Sequence, residues 1–199
     1  MDVSSKDVMT LRQRTGAGMM DCKKALIDAK GDMEKAADIL REKGKASAQK
    51  RADRETNQGY IAVYVHPGSK LAAMVEVDCE TDFVARSEEY QEFARNLAMH
   101  IAASAPLAIS PEDLDPKVVE KEREIYRAQA LNEGKKPEFV EKIIEGRLKK
   151  FYAESCLLSQ VYIRDEARKK TIQDLLHELV GKIGENMVIK RFCRFKIGE

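Results

Sequence analysis

The stretch Met74-Val-Glu-Val-Asp-Cys-Glu-Thr-Asp-Phe-Val84 changes its period partway along. Up to Glu80, the apolar Val75, Val77 and Cys79 alternate with Glu76, Asp78 and Glu80, the pattern of an antiparallel strand with one buried and one wet face. From Asp82 onward apolar residues recur at spacings of three and four, through Tyr90, Phe93, Leu97 and Ile101, and predict a helix over residues 82–104. A half-wetted strand feeding an amphipathic helix implies an α+β chain, in which helices cover one side of a mostly antiparallel sheet.

Working outward, Ile61, Val63 and Val65 alternate with Ala62 and Tyr64, and His66-Pro-Gly-Ser69 then turns the chain into a partner strand beginning near Lys70. Beyond the central helix, Pro111 and Pro116 open a charged helical pair, residues 116–133 and 137–153, joined by Gly134-Lys-Lys-Pro137. So short a connection makes them a protruding antiparallel hairpin. A brief strand at Val161–Ile163 follows, then an amphipathic helix carrying Ile172, Leu175, Leu176, Leu179, Val180 and Ile183. An alternating strand over residues 187–197 closes the chain.

Toward the N-terminus the pattern is purely helical. Ser5 is the expected cap of a helix from Lys6 to Arg14, with Val8 and Leu11 on one face, before Gly16 and Gly18 interrupt it. Met19–Ala29 places Cys22, Leu26 and Ala29 together and ends at Gly31, and Asp32 caps Met33–Lys43, with Ala36, Ala37 and Leu40 inward. Helices of about ten residues are marginal alone in water, so these three stabilise one another as a bundle of ubiquitin-associated size. Lys45–Arg54 has no apolar stripe and reads as a polar linker or exposed helix. The expected organisation is a three-helix domain with linker over residues 1–54 and an α+β core over 55–199, its hairpin spanning about 112–155.

The 199 residues suffice to bury a core, and 35% are charged against about a quarter in ordinary domains. Lys and Arg number 35 and Asp and Glu 34, so the formal net charge of +1 argues against nonspecific nucleic-acid binding as the main task. Cys22, Cys79, Cys156 and Cys193 lie far apart with no C-x-x-C pair, the usage of reduced thiols. The start Met1-Asp-Val-Ser-Ser-Lys6 lacks the apolar run of a signal peptide, and no membrane-spanning stretch is visible, so a cytoplasmic location is expected.

Several residues invite a chemical reading. Glu76, Asp78, Glu80 and Asp82 form an acidic row, but alternate strand residues stand about 6.6 Å apart, too widely for oxygens that must approach one Mg²⁺ to about 2.1 Å. Cys79 with His100 as base and Asp82 as orienter is the nearest approach to a nucleophilic site, yet Cys79 alternates with the inward Val75 and Val77, where a thiol is inert. Neither G-x-x-x-x-G-K-[ST] nor a strand followed by G-x-G-x-x-G occurs, so direct nucleotide binding is not indicated. No catalytic residue, metal ligand or cofactor is assigned.

Taken as whole strings, Thr15-Gly-Ala-Gly-Met-Met-Asp-Cys-Lys-Lys-Ala-Leu26 and Thr81-Asp-Phe-Val84 resemble the elongation factor Ts family. Cys79–Arg86, the segment around His100, Glu145-Gly-Arg-Leu-Lys-Lys150 and Gly184-Glu-Asn-Met-Val-Ile-Lys-Arg191 match it in the same order. The resemblance implies a guanine-nucleotide exchange factor of protein biosynthesis rather than an enzyme. Its partner is elongation factor Tu, GDP-bound and nucleotide-free.

In that family Thr81, Asp82, Phe83 and Val84 would carry an acidic and an aromatic side chain into the GTPase domain, dislocating its Mg²⁺ and then its phosphate loop. Periodicity alone offers a plainer reading, with Thr81 as a cap, Asp82 as dipole complement and Phe83 as the first residue of the apolar stripe. The resemblance also implies partner contacts at Leu11, Arg12, Met19, Met20, Lys23 and His100; a lone helical histidine is otherwise an ordinary surface residue. Adjacent Met19 and Met20 cannot both face one core.

Longer members of the family carry two related core halves, whereas this chain has room for one. It resembles the short form, which the family pairs as a homodimer. Met187, Ile189, Cys193, Phe195 and Ile197 form a largely apolar strand face broken by Arg191, expected at a dimer interface with Cys193 near its symmetry mate. The competing reading is an RNA-binding translation-associated protein using the basic segment 43–54.

Overall fold

The computed structural model describes residues 3–199. Its first helix, α1 (Ser5–Thr15), begins one residue earlier than expected: the cap is Ser4, whose hydroxyl accepts the Asp7 N–H at 3.1 Å. Gly16 ends it in the left-handed region at φ 69° and gives its N–H to the Arg12 carbonyl at 2.8 Å, a conformation that costs a residue without Cβ little.

Helix α2 (Met19–Asp28) follows, and helix α3 (Met33–Gln49) starts where the Asp32 carboxylate accepts the N–H groups of Glu34 and Lys35, both at 3.1 Å. Val8, Leu11, Cys22, Ala25, Leu26, Ala29, Ala36 and Leu40 make one shared core, with Ala37 packed at its margin. The expected stop at Lys43 is overturned, because α3 continues through Gly44 to Gln49. Helix α8 (Ile172–Ile183) supplies the reason: a Cβ on its Gly181 would lie 3.3 Å from the Gly44 Cα. Gly44 is therefore a crossing point at which two backbones approach, and not a helix terminator.

Strands β1 (Gln58–Val65), β2 (Leu71–Cys79) and β3 (Met187–Lys196) form one antiparallel sheet in the order β1-β2-β3. In β2, Ala73, Val75, Val77 and Cys79 are buried, as the alternation predicts. In β1 the small Ala62 is the buried residue while Ile61, Val63 and Val65 are exposed. In β3 the alternation slips: Met187 and Ile189 are buried, the consecutive Lys190 and Arg191 are both exposed, and Cys193 and Phe195 then lie exposed as well. The single apolar face expected for this strand is thus divided between interior and surface.

The helix predicted over 82–104 is two helices, α4 (Asp82–Ala85) and α5 (Glu88–Ser104). At the break the Ser87 hydroxyl donates to the Val84 carbonyl at 2.8 Å, a local bond that competes with the helical ladder. Tyr90, Leu97 and Ile101 of α5 are fully buried. Helices α6 (Pro116–Asn132) and α7 (Pro137–Ser155) both place proline in the first turn. Val140, Ile144 and Leu148 of α7 bury Ala130 of α6. Arg127–Glu141 at 2.6 Å and Arg147–Glu133 at 2.7 Å tie the pair outside that core.

The strand expected at Val161–Ile163 is a single bridge, Val161 with Thr171. The Asp165 carboxylate takes the Lys169 and Lys170 N–H groups at 2.6 and 2.8 Å and folds the loop onto itself. By compactness the chain falls into two units. One comprises the residues up to Val63 with Met74–Asn96 and Gln173–Cys193; the other comprises Tyr64–Ala73, Leu97–Ile172 and Arg194–Glu199.

Candidate partner-binding site

At the end of β2 the chain leaves the sheet and makes one turn of helix, and Thr81 governs that turn. Its extended backbone (φ −126°, ψ 154°) places the hydroxyl to accept the Val84 N–H at 3.3 Å. The same hydroxyl donates to Glu185 Oε1 at 2.7 Å, and the Thr81 N–H donates to Glu185 Oε2 at 3.1 Å. Beneath it the buried Cys79 thiol donates to the Thr81 carbonyl at 3.2 Å, and burial pushes that thiol's pKa up.

The four signature residues divide by role. Val84 is buried and anchors the turn. Asp82 faces solvent beside Arg86 at 2.8 Å, an exposed pair of the kind that contributes little and opens readily. Phe83 is 82% exposed. An aromatic side chain held that far into water gains nothing in the isolated chain, since its apolar area is what burial would reward.

The N-terminal residues divide in the same way. Met20 is 73% and Met19 44% exposed, at the first turn of α2, and Arg12 and Lys23 also face solvent. Leu11 is fully enclosed in the three-helix core, so it has no surface to offer a partner. His100 is also enclosed, contrary to the surface position that a lone helical histidine suggests. It accepts the Ile163 N–H on Nδ1 at 3.3 Å, which leaves Nε2 to donate to Gln160 Oε1 at 3.0 Å. Burial lowers its pKa, in agreement with a neutral ring. Gln160 then donates to the Glu154 carbonyl at 2.6 Å, so this side chain ties a loop to α5 and α7.

The acidic row is used one carboxylate at a time. Glu76 pairs with Arg191, and Glu80 accepts the Asn186 N–H at 2.6 Å, the main reason its pKa is lowered. Desolvation, with Glu76 nearby, raises that of Asp78. Among the described residues no group of three or more His, Cys, Asp or Glu side chains is placed to hold a metal ion. The basic segment is largely engaged: Lys43 with Asp21, Lys45 with Asp174 at 3.5 Å, Arg51 with the Ser47 carbonyl at 3.0 Å, and Arg54 with Glu80 at 3.3 Å. Sequence reasoning assigned no role to Glu185. It lies within the matching string Gly184–Arg191, but nothing local ties it to the turn, because its partner Thr81 lies 104 residues away in the chain.

The sequence profile of the family described as elongation factor Ts matches residues 23–199. A protein of that name from Caldanaerobacter subterraneus is 57% identical over 197 residues, covering 99% of this chain and 98% of its own length. Namesakes from Moorella thermoacetica and Nitratidesulfovibrio vulgaris are each 53% identical, covering 99% and 100% of this chain. The chain belongs to the elongation factor Ts family. It is accordingly related to translation elongation factors along almost all of its length.

Membership makes the division at the Thr81–Val84 turn informative. The matching strings contain both side chains that build the turn and side chains it exposes. No helix among the described residues is long and apolar enough to cross a membrane.

Proposed function

We infer that this chain is the guanine-nucleotide exchange factor of elongation factor Tu, acting in the cytoplasm as a binding protein without covalent chemistry. The observation that carries the reading is Phe83, 82% exposed and adjacent to the solvent-facing Asp82 on a turn anchored from behind. Inserted into a groove of the GTPase, Phe83 would gain roughly 1.5–3 kcal/mol. Asp82, exchanging Arg86 for the neighbourhood of Mg²⁺ or phosphate, competes with the phosphates for Mg²⁺ or repels the phosphates themselves.

A partner that binds the nucleotide-free GTPase more tightly than the loaded one must, by reciprocity, weaken GDP binding by the same factor. Since about 1.4 kcal/mol changes affinity tenfold, Phe83 alone supplies roughly one to two decades. Arg12, Met19, Met20 and Lys23 supply further contact from the N-terminal module, residues 1–54. Leu11 and His100, being enclosed, serve the fold that carries these contacts.

The deciding experiment follows release of a fluorescent GDP analogue from elongation factor Tu. Wild-type protein accelerates it, and the Asp82→Ala/Phe83→Ala variant, shown to be folded, accelerates it far less. Equal acceleration by both would remove the wedge and keep exchange; no acceleration by wild type would remove the exchange reading.

The same reading includes a homodimer. Ile61, Val63, Met74 and Cys193 leave apolar surface exposed in one compact unit, and Val65, Phe195 and Ile197 do so in the other. A second copy of the chain would cover such strands. Sedimentation at micromolar concentration is expected to give twice the 22.5 kDa chain mass. A monomer there overturns the dimer.

A further inference from the structure

Where the ladder between the neighbouring strands β2 and β3 runs out, two carboxylates continue it in opposite directions. Glu80, just past β2, accepts the backbone N–H of Asn186 at 2.6 Å. Glu185, just before β3, accepts the backbone N–H of Thr81 at 3.1 Å. Each segment thus holds the other's main chain through its own glutamate. Asn186 is buried and locks the arrangement from a third side, donating through Nδ2 to the carbonyls of Ala52 and Arg54 at 3.2 and 2.8 Å.

We propose that Glu80 and Glu185 form a reciprocal clasp that aims Asp82 and Phe83 at the partner, with Glu185 the positioning residue for nucleotide exchange. This rests on the reading of Phe83 and Asp82 as the inserted pair.

The Thr81 hydroxyl has a single proton. Because Glu185 Oε1 takes that proton at 2.7 Å, the oxygen lone pair is left pointing at the Val84 N–H, and the cap is fixed in one orientation. Glu185 Oε2 meanwhile pins the Thr81 main chain at 3.1 Å. A four-residue helix makes too few internal bonds to define its own direction, so the direction of α4 is set by this anchor at its start and by Val84 beneath. Phe83 touches too little of its own chain to be oriented by packing. Its aim is inherited from Thr81, and through Thr81 from Glu185.

Positioning has a kinetic signature that simple stabilisation lacks. Misplacing an interacting group by about 1 Å can cost up to a hundredfold in rate, whereas contacts elsewhere on the partner still support the encounter. Release of a fluorescent GDP analogue from elongation factor Tu, measured against exchange-factor concentration, separates the maximal rate from the half-saturating concentration. Glu185→Ala is expected to lower the maximal rate on the order of tenfold and to leave half-saturation nearly unchanged. Glu185→Gln keeps one acceptor oxygen for the two Thr81 donors and should recover part of the loss. In the Asp82→Ala/Phe83→Ala background, Glu185→Ala should slow release no further, because nothing remains to aim.

A Glu185→Ala protein with wild-type maximal rate overturns the clasp, as does an equal fold-loss in the background lacking the wedge. Should Glu185→Ala fail to fold, Thr81→Val carries the same kinetic expectation and Thr81→Ser should restore the rate; a wild-type rate for Thr81→Val overturns the proposal. Failure of the underlying reading looks different: the Asp82→Ala/Phe83→Ala protein with Glu185 intact then drives GDP release from elongation factor Tu as fast as wild type does.

Discussion

The Thr81–Val84 turn and the His100 network are both tied by side-chain hydrogen bonds across long stretches of chain, and they end in opposite places. At the turn, Glu185 and Thr81 hold an aromatic ring out in water. In the network, Gln160 and the Ile163 N–H hold an imidazole out of water. Both carry residues that the family resemblance marks for contact with a partner. Only the first presents them at a surface, so a matched motif residue can serve the surface or the scaffold behind it, and burial distinguishes the two.

Exchanging the two behaviours would break this comparison. His100→Ala removes the donor to Gln160, in a buried setting, and the acceptor of the Ile163 N–H, which is only partly buried. The expected loss is about 1–3 kcal/mol, chiefly from the buried Gln160 oxygen left unpaired, read as a fall in thermal midpoint of roughly 2–4 °C per kcal/mol. Exchange measured on the protein that remains folded should stay near wild type. A large fall in exchange with an unchanged midpoint would move His100 to the surface side of the comparison.

Phe83→Ala should behave in the opposite sense. Losing about 1.5–3 kcal/mol of burial in the complex predicts a roughly ten- to hundredfold slower release of GDP from elongation factor Tu. The thermal midpoint should hardly move, because the ring is 82% exposed in the free protein. A substantial loss of stability would show that Phe83 packs against its own chain.

The smallest expected effect is a pH dependence. Burial lowers the His100 pKa below its ordinary value of 6.5, and desolvation lowers that of His177 as well. Below pH 6.5 the unfolded chain takes up protons that the folded chain resists, so stability is complete above that pH and declines as the pH falls toward the folded-state values. Between pH 7.5 and 5.5 the midpoint should therefore fall, and fall less in His100→Gln than in wild type. Equal slopes in the two proteins would deny the buried ring its role.

Much of the fold is legible where the signal is local. Pro116 and Pro137 start their helices because proline's missing N–H and fixed φ suit a first turn, and Asp32 starts α3 because its carboxylate is within reach of two free N–H groups. The alternation of Val75, Val77 and Cys79 identifies the buried face of β2. Local reasoning ends a helix at Lys43, whereas α3 runs on through Gly44, the point that Gly181 approaches. It fails again at Ser87, whose hydroxyl turns back on Val84 and splits the predicted helix. In the candidate site the motif names Asp82 and Phe83 but not Glu185.

The sequence by itself determined the order of helices and strands, apart from the bridge at Val161 and the break at Ser87, together with the buried face of β2, the family and the identity of the residues offered at the turn. These follow from caps, prolines, periodicity and motif strings that act within a few residues. Only the tertiary structure decided that β1 turns Ala62 inward and that Leu11 and His100 are enclosed while Phe83 and Met20 stand free. It alone also joined Glu80 to Asn186 and Glu185 to Thr81. Burial and hydrogen-bond partnership are properties of what the folded chain brings alongside a residue, and for these the neighbour lies tens of residues away or, for Thr81 with Glu185 and Glu80 with Asn186, 104 and 106.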